Sequence, residues 1–181
     1  FFAAKELPEI PVFLDSPLAT KITRVFMEHP QYFKPEITAA IERGEEVFSF
    51  PELRFVETPE ASRHIAATLG PKIIIAGSGM SSGGRVLKHE KEILADKRST
   101  LCIVGYQSAG SIGRRLLDNE KKVEIMGEKV LVRARIEHIF SYSAHKDSPE
   151  LVDFAAQGAE TLKGVFVVMG EPAASAYLAQ R

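Results

Sequence analysis

PKIIIAGSGMSSGGR, residues 71–85, carries the fold in miniature. Four apolar residues, Ile73 to Ala76, run into a stretch of Gly and Ser, and Arg85 leads on into GRVLKHEKEILA (84–95), whose apolar residues recur at helical spacing. A short apolar run closed by small residues and followed by an amphipathic helix is the strand–loop–helix step of an α/β protein. TLCIVGYQSAGSIGRR (100–115) repeats the step. Further out, IPVFLD (10–15) and GVFVVMG (164–170) read as strands, while ATKITRVFMEH (19–29), PEASRHIAATL (59–69) and SPELVDFAAQ (148–157) read as helices. The alternation predicts an α/β fold, a Rossmann-like parallel sheet with flanking helices. One stretch departs from it: KKVEIMGEKVLVRARIEHIFSYS (121–143) predicts two strands around Gly127, a hairpin attached to the α/β core. Residues 30–58, rich in Pro, Glu and Phe, read as a peripheral helical excursion.

Of 181 residues, 45% are hydrophobic, enough for a substantial core. No apolar run approaches the roughly 20 residues of a membrane helix. The opening FFAAKELPEI lacks the basic start and long apolar middle of a signal peptide, so the expectation is a soluble, cytoplasmic protein without a membrane partner. Its first residues resemble the tail of a helix, and EPAASAYLAQR (171–181) has no stop signal, so a piece of a longer chain is expected. The single cysteine, Cys102, cannot form an internal disulfide and, set in an apolar run, is expected to be buried. The net charge of −1 conceals an asymmetry. Seven basic and eleven acidic side chains leave residues 1–71 at −4, thirteen and seven leave 72–135 at +6, and three and six leave 136–181 at −3. A basic middle third hints at a polyanionic partner, although solvated helix faces produce the same imbalance.

Both Gly/Ser loops lie in that basic third. A strand that opens through such a loop into a helix presents backbone N–H groups to an anion. In the first, Ser78, Gly79, Ser81, Ser82, Gly83 and Arg85 are the candidate phosphate ligands; in the second, Gln107, Ser111 and Arg114. Neither has the lysine of a nucleotide P-loop or GxGxxG spacing, and each alone could be a plain tight turn. Two loops with two arginines on one sheet edge suit a phosphodiester backbone better than one small metabolite. His145, in FSYSAHKDSPEL (140–151), follows small residues and precedes a helix start, a setting suited to proton transfer or phosphate contact. The remaining histidines, His29, His64, His89 and His138, have no metal-ligand spacing. Asp15 or Ser16 is read as a helix cap before Pro17.

In order, PVFLDSPLA (11–19), IIIAGSGMSSGGR (73–85), VGYQSAGSIGRRL (104–116), SYSAHKD (141–147) and VFVVMGEP (165–172) resemble the β-CASP region of metallo-β-lactamase-fold RNA nucleases, the group that includes ribonuclease J and the pre-mRNA 3′-end cleavage endonuclease. The resemblance implies a β-CASP domain over residues 1–135 and, over 136–181, a segment of the RNA-metabolising metallo-β-lactamase fold. It implies a two-lobed parent enzyme that holds two zinc ions, closes over single-stranded RNA and hydrolyses phosphodiesters with a metal-activated water. Endonuclease and 5′ exonuclease both remain open. His145 matches the motif B histidine, which contacts the scissile phosphate, and Ser143 beside it is a plausible phosphate donor. The HxHxDH zinc motif is absent from the sequence, and Met169 stands where motif C has a zinc-binding histidine. A thioether is a poor zinc ligand, so no metal ligand is assigned in this chain, no zinc is expected in it alone, and no cleavage by it alone is expected. DNA-cleaving relatives carry valine at that position, which keeps a DNA substrate open. The expected partners are RNA and the metallo-β-lactamase lobe of the same protein, and a homodimer is compatible. Two other readings stand beside this one: a catalytically weakened paralogue that binds RNA as a scaffolding subunit, and a small-molecule phosphate-binding α/β protein.

Overall fold

The structure, a computed structural model, describes residues 8–143 and 145–181. The chain divides into two compact units, one ending at Ser141 and the other spanning Tyr142–Arg181. At the centre of the first lies β1 (Val12–Asp15), paired in parallel with β2 (Leu53–Phe55) on one side and β3 (Ile73–Ala76) on the other. Every residue of β1 is buried, the pattern of a strand covered on both faces. A second parallel pair joins β4 (Thr100–Val104) to β7 (Arg135–Ile139). The helices α1 (Pro17–Glu28), α2 (Pro35–Glu42), α3 (Pro59–Ala67), α4 (Val86–Ile93) and α5 (Ile112–Leu117) flank these strands. The α/β class, with parallel pairing and flanking helices, is as the sequence predicts.

The local chemistry explains where the elements start. Ser16 caps α1, its Oγ accepting from the Ala19 amide at 3.2 Å with Pro17 at the first helical position. Thr58 and Pro59 open α3 in the same way. The expected hairpin is present: β5 (Lys122–Ile125) and β6 (Glu128–Leu131) pair antiparallel across Met126 and Gly127, both at positive φ, the geometry of a two-residue type I′ loop. Val123, Ile125 and Val130 bury one face of this hairpin against Leu94, Ile103, Leu116 and Ala134, the larger of two core clusters. The smaller gathers Phe13, Val56 and Ile65.

Three expectations need correction. The excursion over 30–58 contains a 3₁₀ turn at Pro30–Tyr32 and α2, but also β2, which joins the central sheet. Its three residues are too few to display a period. Cys102 is exposed. Side chains alternate along β4, so Leu101 and Ile103 face the core while Thr100, Cys102 and Val104 face outward. Finally, GVFVVMG (164–170) forms no strand. A strand exists only with a hydrogen-bonded neighbour, and no described residue pairs with this segment, leaving Val165, Phe166 and Val168 exposed.

In the second unit, Asp147 caps α6 (Ser148–Ala156) and forms a capping box with Glu150, which Lys146 meets at 2.7 Å. α7 (Pro172–Ala179) follows Glu171. Among the described residues no helix is long and apolar enough to cross a membrane.

Candidate nucleic-acid interface

The chain leaves β3 at Ala76 and folds residues 77–85 back on themselves before α4. Ser78 Oγ accepts from the Ser82 amide at 3.1 Å and sits 3.1 Å from Ser82 Oγ, while the Ser78 amide donates to the Gly83 carbonyl. The Val86 amide closes the loop onto the Gly77 carbonyl. Gly84 has φ +76, and a Cβ there would lie 2.6 Å from the Gly77 oxygen, so only glycine fits. Among the described residues, the amides of Gly79, Gly83 and Gly84 donate to no protein acceptor. Gly79, Ser82 and Gly84 are exposed, with Ser78 and Gly83 half-buried beside them.

Two of the candidates in this loop turn inward. Ser81, at φ 52 and buried, donates its hydroxyl hydrogen bond to Glu90 Oε1 at 2.5 Å. Arg85 places Nη1 2.6 Å from Asp15 Oδ1 and 2.9 Å from the Val56 carbonyl, and Nη2 2.7 Å from the Glu57 carbonyl. Its donors are thus directed into the fold.

The second loop, residues 105–111, is tied to the first. Gln107 is buried, and its Nε2 donates to the Gly79 carbonyl at 2.7 Å and to the Tyr106 carbonyl at 3.0 Å. Ser108 Oγ reaches Met80 Sδ at 3.4 Å, and the Gly113 amide reaches the Met80 carbonyl at 3.4 Å. Gly113 leaves room for it: a Cβ there would fall 1.8 Å from Gln107 Oε1 and push the Gln107 amide group aside. Ser111 caps α5 by accepting from the Arg114 amide at 3.1 Å. The Arg114 guanidinium rests 3.4 Å from both the Gln107 carbonyl and Asp118 and stays partly exposed. The structure therefore brings the two loops together and gives Gln107 the task of holding them.

Beneath the first loop lies a group of polar residues for which the sequence reading proposed no site. Asp15 is fully buried and accepts from Ser62 Oγ at 2.6 Å and from Arg85, with His89 Nε2 at 2.7 Å. Burial alone would raise its pKa, but the hydrogen bonds from Ser62, His89 and Arg85 and the Arg85 charge outweigh it and hold the carboxyl below its ordinary value. Asp15 is thus no helix cap; Ser16 takes that role. Next to His89 on α4, burial pushes the Glu90 carboxyl up, against the opposing hydrogen bond from Ser81. The signal was present: Val86, Leu87, Ile93 and Leu94 share a helical face with His89 and Glu90, which marks both as buried.

In the second unit His145 is exposed, and its amide donates to Ser143 Oγ at 3.2 Å. Met169 is fully exposed at φ 67. Among the described residues no three His, Cys, Asp or Glu side chains converge where a metal could sit, so the described donors do not fit the two zinc ions that the resemblance implies.

A family model described as the Beta-Casp domain matches residues 1–116. The chain belongs to the β-CASP family. A second model, the Zn-dependent metallo-hydrolase RNA specificity domain, matches residues 129–181 of this β-CASP chain. The chain is similar to Ribonuclease TTHA0252 of Thermus thermophilus, 37% identical over 82% of this chain and 34% of that protein. It is also similar to the transcription termination factor FttA of Methanosarcina mazei, 30% identical over 96% and 28%. An RNase J-like protein of Methanocaldococcus jannaschii is 29% identical over 85% and 34%. The β-CASP chain spans about a third of the length of these relatives.

Proposed function

We propose that this chain is the β-CASP portion of a zinc-dependent, cytoplasmic RNA-processing nuclease and that its two tied glycine loops bind the RNA backbone. One observation carries the reading. Amides with no acceptor among the described residues and serine hydroxyls collect on two cross-linked loops inside the segment with a charge of +6. Neutral donors backed by positive charge recognise phosphodiesters irrespective of base. Ser78, Gly79, Ser82, Gly83, Ser111 and Arg114 are the contacts in this reading; Ser81, Arg85 and Gln107 hold the loops in shape.

In the second unit we assign the exposed His145 to the scissile phosphate as a proton donor or acceptor, with Ser143, whose Oγ accepts from the His145 amide, as a phosphate donor beside it. The zinc ligands belong to the parent protein. In that parent His145→Ala is expected to lower cleavage by about 10²-fold or more, the usual worth of general acid–base catalysis, with RNA binding retained.

Met169 supports a second reading, a weakened paralogue that acts as an RNA-binding subunit, because the position that motif C gives to histidine holds a poor zinc ligand. Met169→His in the parent separates the two. A sharp rise in cleavage favours the weakened paralogue; an unchanged rate counts against motif C as a defect.

The binding claim is tested by fluorescence anisotropy of this chain with a labelled single-stranded oligoribonucleotide, in competition with a mononucleotide. Preference for the oligonucleotide is expected. Tight mononucleotide binding without that preference would favour a small-molecule phosphate site instead.

A further inference from the structure

Two consecutive ionisable residues of α4, His89 and Glu90, are buried, and each reaches a different part of the first glycine loop's support. His89 meets Asp15, which holds Arg85 at the loop's end. Glu90 meets Ser81 at the loop's middle. Ser81 is the informative residue. It adopts φ 52, a conformation that L side chains other than Asn and Asp seldom adopt, and it is 4% exposed. Such backbone persists only where its surroundings over-determine it, and such sites cluster where a ligand is gripped. Glycine would have adopted this conformation without strain, but it would have offered no hydroxyl to Glu90.

Glu90 is in turn an expensive residue for that place. It is 1% exposed, and its second carboxyl oxygen, Oε2, has no hydrogen-bond partner among the described residues. A buried carboxyl group with an orphan oxygen costs stability that an apolar side chain would not. A helix that needed only to pack would place leucine there, as it does at Leu87 and Leu94 on the same face. The strained serine and the costly carboxyl group meet in one short hydrogen bond. That bond fixes the middle of the loop whose Gly79, Gly83 and Gly84 amides find no acceptor among the described residues.

We propose that Glu90 is a positioning residue for RNA binding: through Ser81 it holds the loop over residues 77–85 in the conformation that presents its amides to phosphate. This rests on the RNA reading above. Glu90 touches no ligand itself, so Glu90→Gln, which keeps an acceptor for the Ser81 hydroxyl at nearly the same volume, is expected to preserve the function. Glu90→Ala and Ser81→Ala break the bond from either side.

The experiment measures two properties of the chain and its variants at neutral pH: affinity for a labelled single-stranded oligouridylate, and backbone hydrogen exchange over residues 78–84. In Glu90→Ala and Ser81→Ala, exchange in the loop should quicken and affinity fall about three- to ten-fold, the range one lost hydrogen bond supports. Glu90→Gln should stay within about two-fold of the wild type, and the double variant should be no worse than either single one, because both remove the same bond. Unchanged loop exchange in Ser81→Ala, or losses that add in the double variant, would overturn the proposal. A wild-type chain that does not bind the oligouridylate would overturn the RNA reading instead, and the exchange data would then still decide whether Glu90 holds the loop.

Discussion

Asp15 shows what a single buried carboxylate does in this fold. It stands at the end of the central strand, fully buried, and joins α3 through Ser62, the loop end through Arg85 and α4 through His89. Removing it would leave a guanidinium and an imidazole facing a void, so Asp15→Ala is expected to cost about 3–5 kcal/mol in urea unfolding. Its pH dependence has a definite sign. Because the folded state holds the carboxyl below its ordinary value of 3.8, its contribution is complete above that value and is lost as pH falls through the lower folded pKa. Glu90 runs the other way. Its carboxyl is raised above 4.5, so the unfolded chain releases the proton first and stability falls as pH rises through that window. Glu90→Gln is therefore expected to raise Tm at neutral pH and to leave it unchanged below pH 4, in thermal melts across the range. The sequence made Asp15 visible only as a polar residue before Pro17; its three partners lie 47 to 74 residues away, a separation that no local pattern encodes.

At the scale of elements, the two strand–loop–helix steps were readable because each carries its own punctuation: an apolar run, glycines where the chain turns, and a helix of amphipathic spacing. The type I′ hairpin was readable for the same reason, with Gly127 between short strands. What escaped depended on neighbours. β2 is a strand because β1 lies beside it, and GVFVVMG (164–170) has the composition of a strand but pairs with no described residue. The exposed Cys102 follows from alternation along β4, which an unbroken apolar run disguises. The loops themselves make a sharp expectation. Gly84→Ala places a methyl group 2.6 Å from the Gly77 carbonyl in a left-handed conformation, so a loss of about 2 kcal/mol or more is expected in urea unfolding. Unchanged stability would mean that the first loop is not closed as described.

For the whole molecule, charge and core are segregated along the chain. The larger core is built from residues 94–134, inside the stretch that carries +6, so the scaffold and the basic surface come from the same segment. Leu116, fully buried at its centre, is expected to cost about 2–5 kcal/mol when cut to alanine. The five ordered motifs made the family legible in the sequence, and the inward turn of Ser81, Arg85 and Gln107 was not legible, because hydroxyl, guanidinium and amide groups serve a phosphate and a buried partner equally well. The claim that the tied loops bind a nucleic-acid backbone is tested most directly by the salt dependence of binding. The dissociation constant for a labelled single-stranded oligoribonucleotide should be measured between about 50 and 200 mM monovalent salt, for the wild-type chain and for Arg114→Ala. The account requires log affinity to fall linearly with log salt, and Arg114→Ala to flatten that slope by about one phosphate's worth. A flat response in the wild-type chain would contradict it.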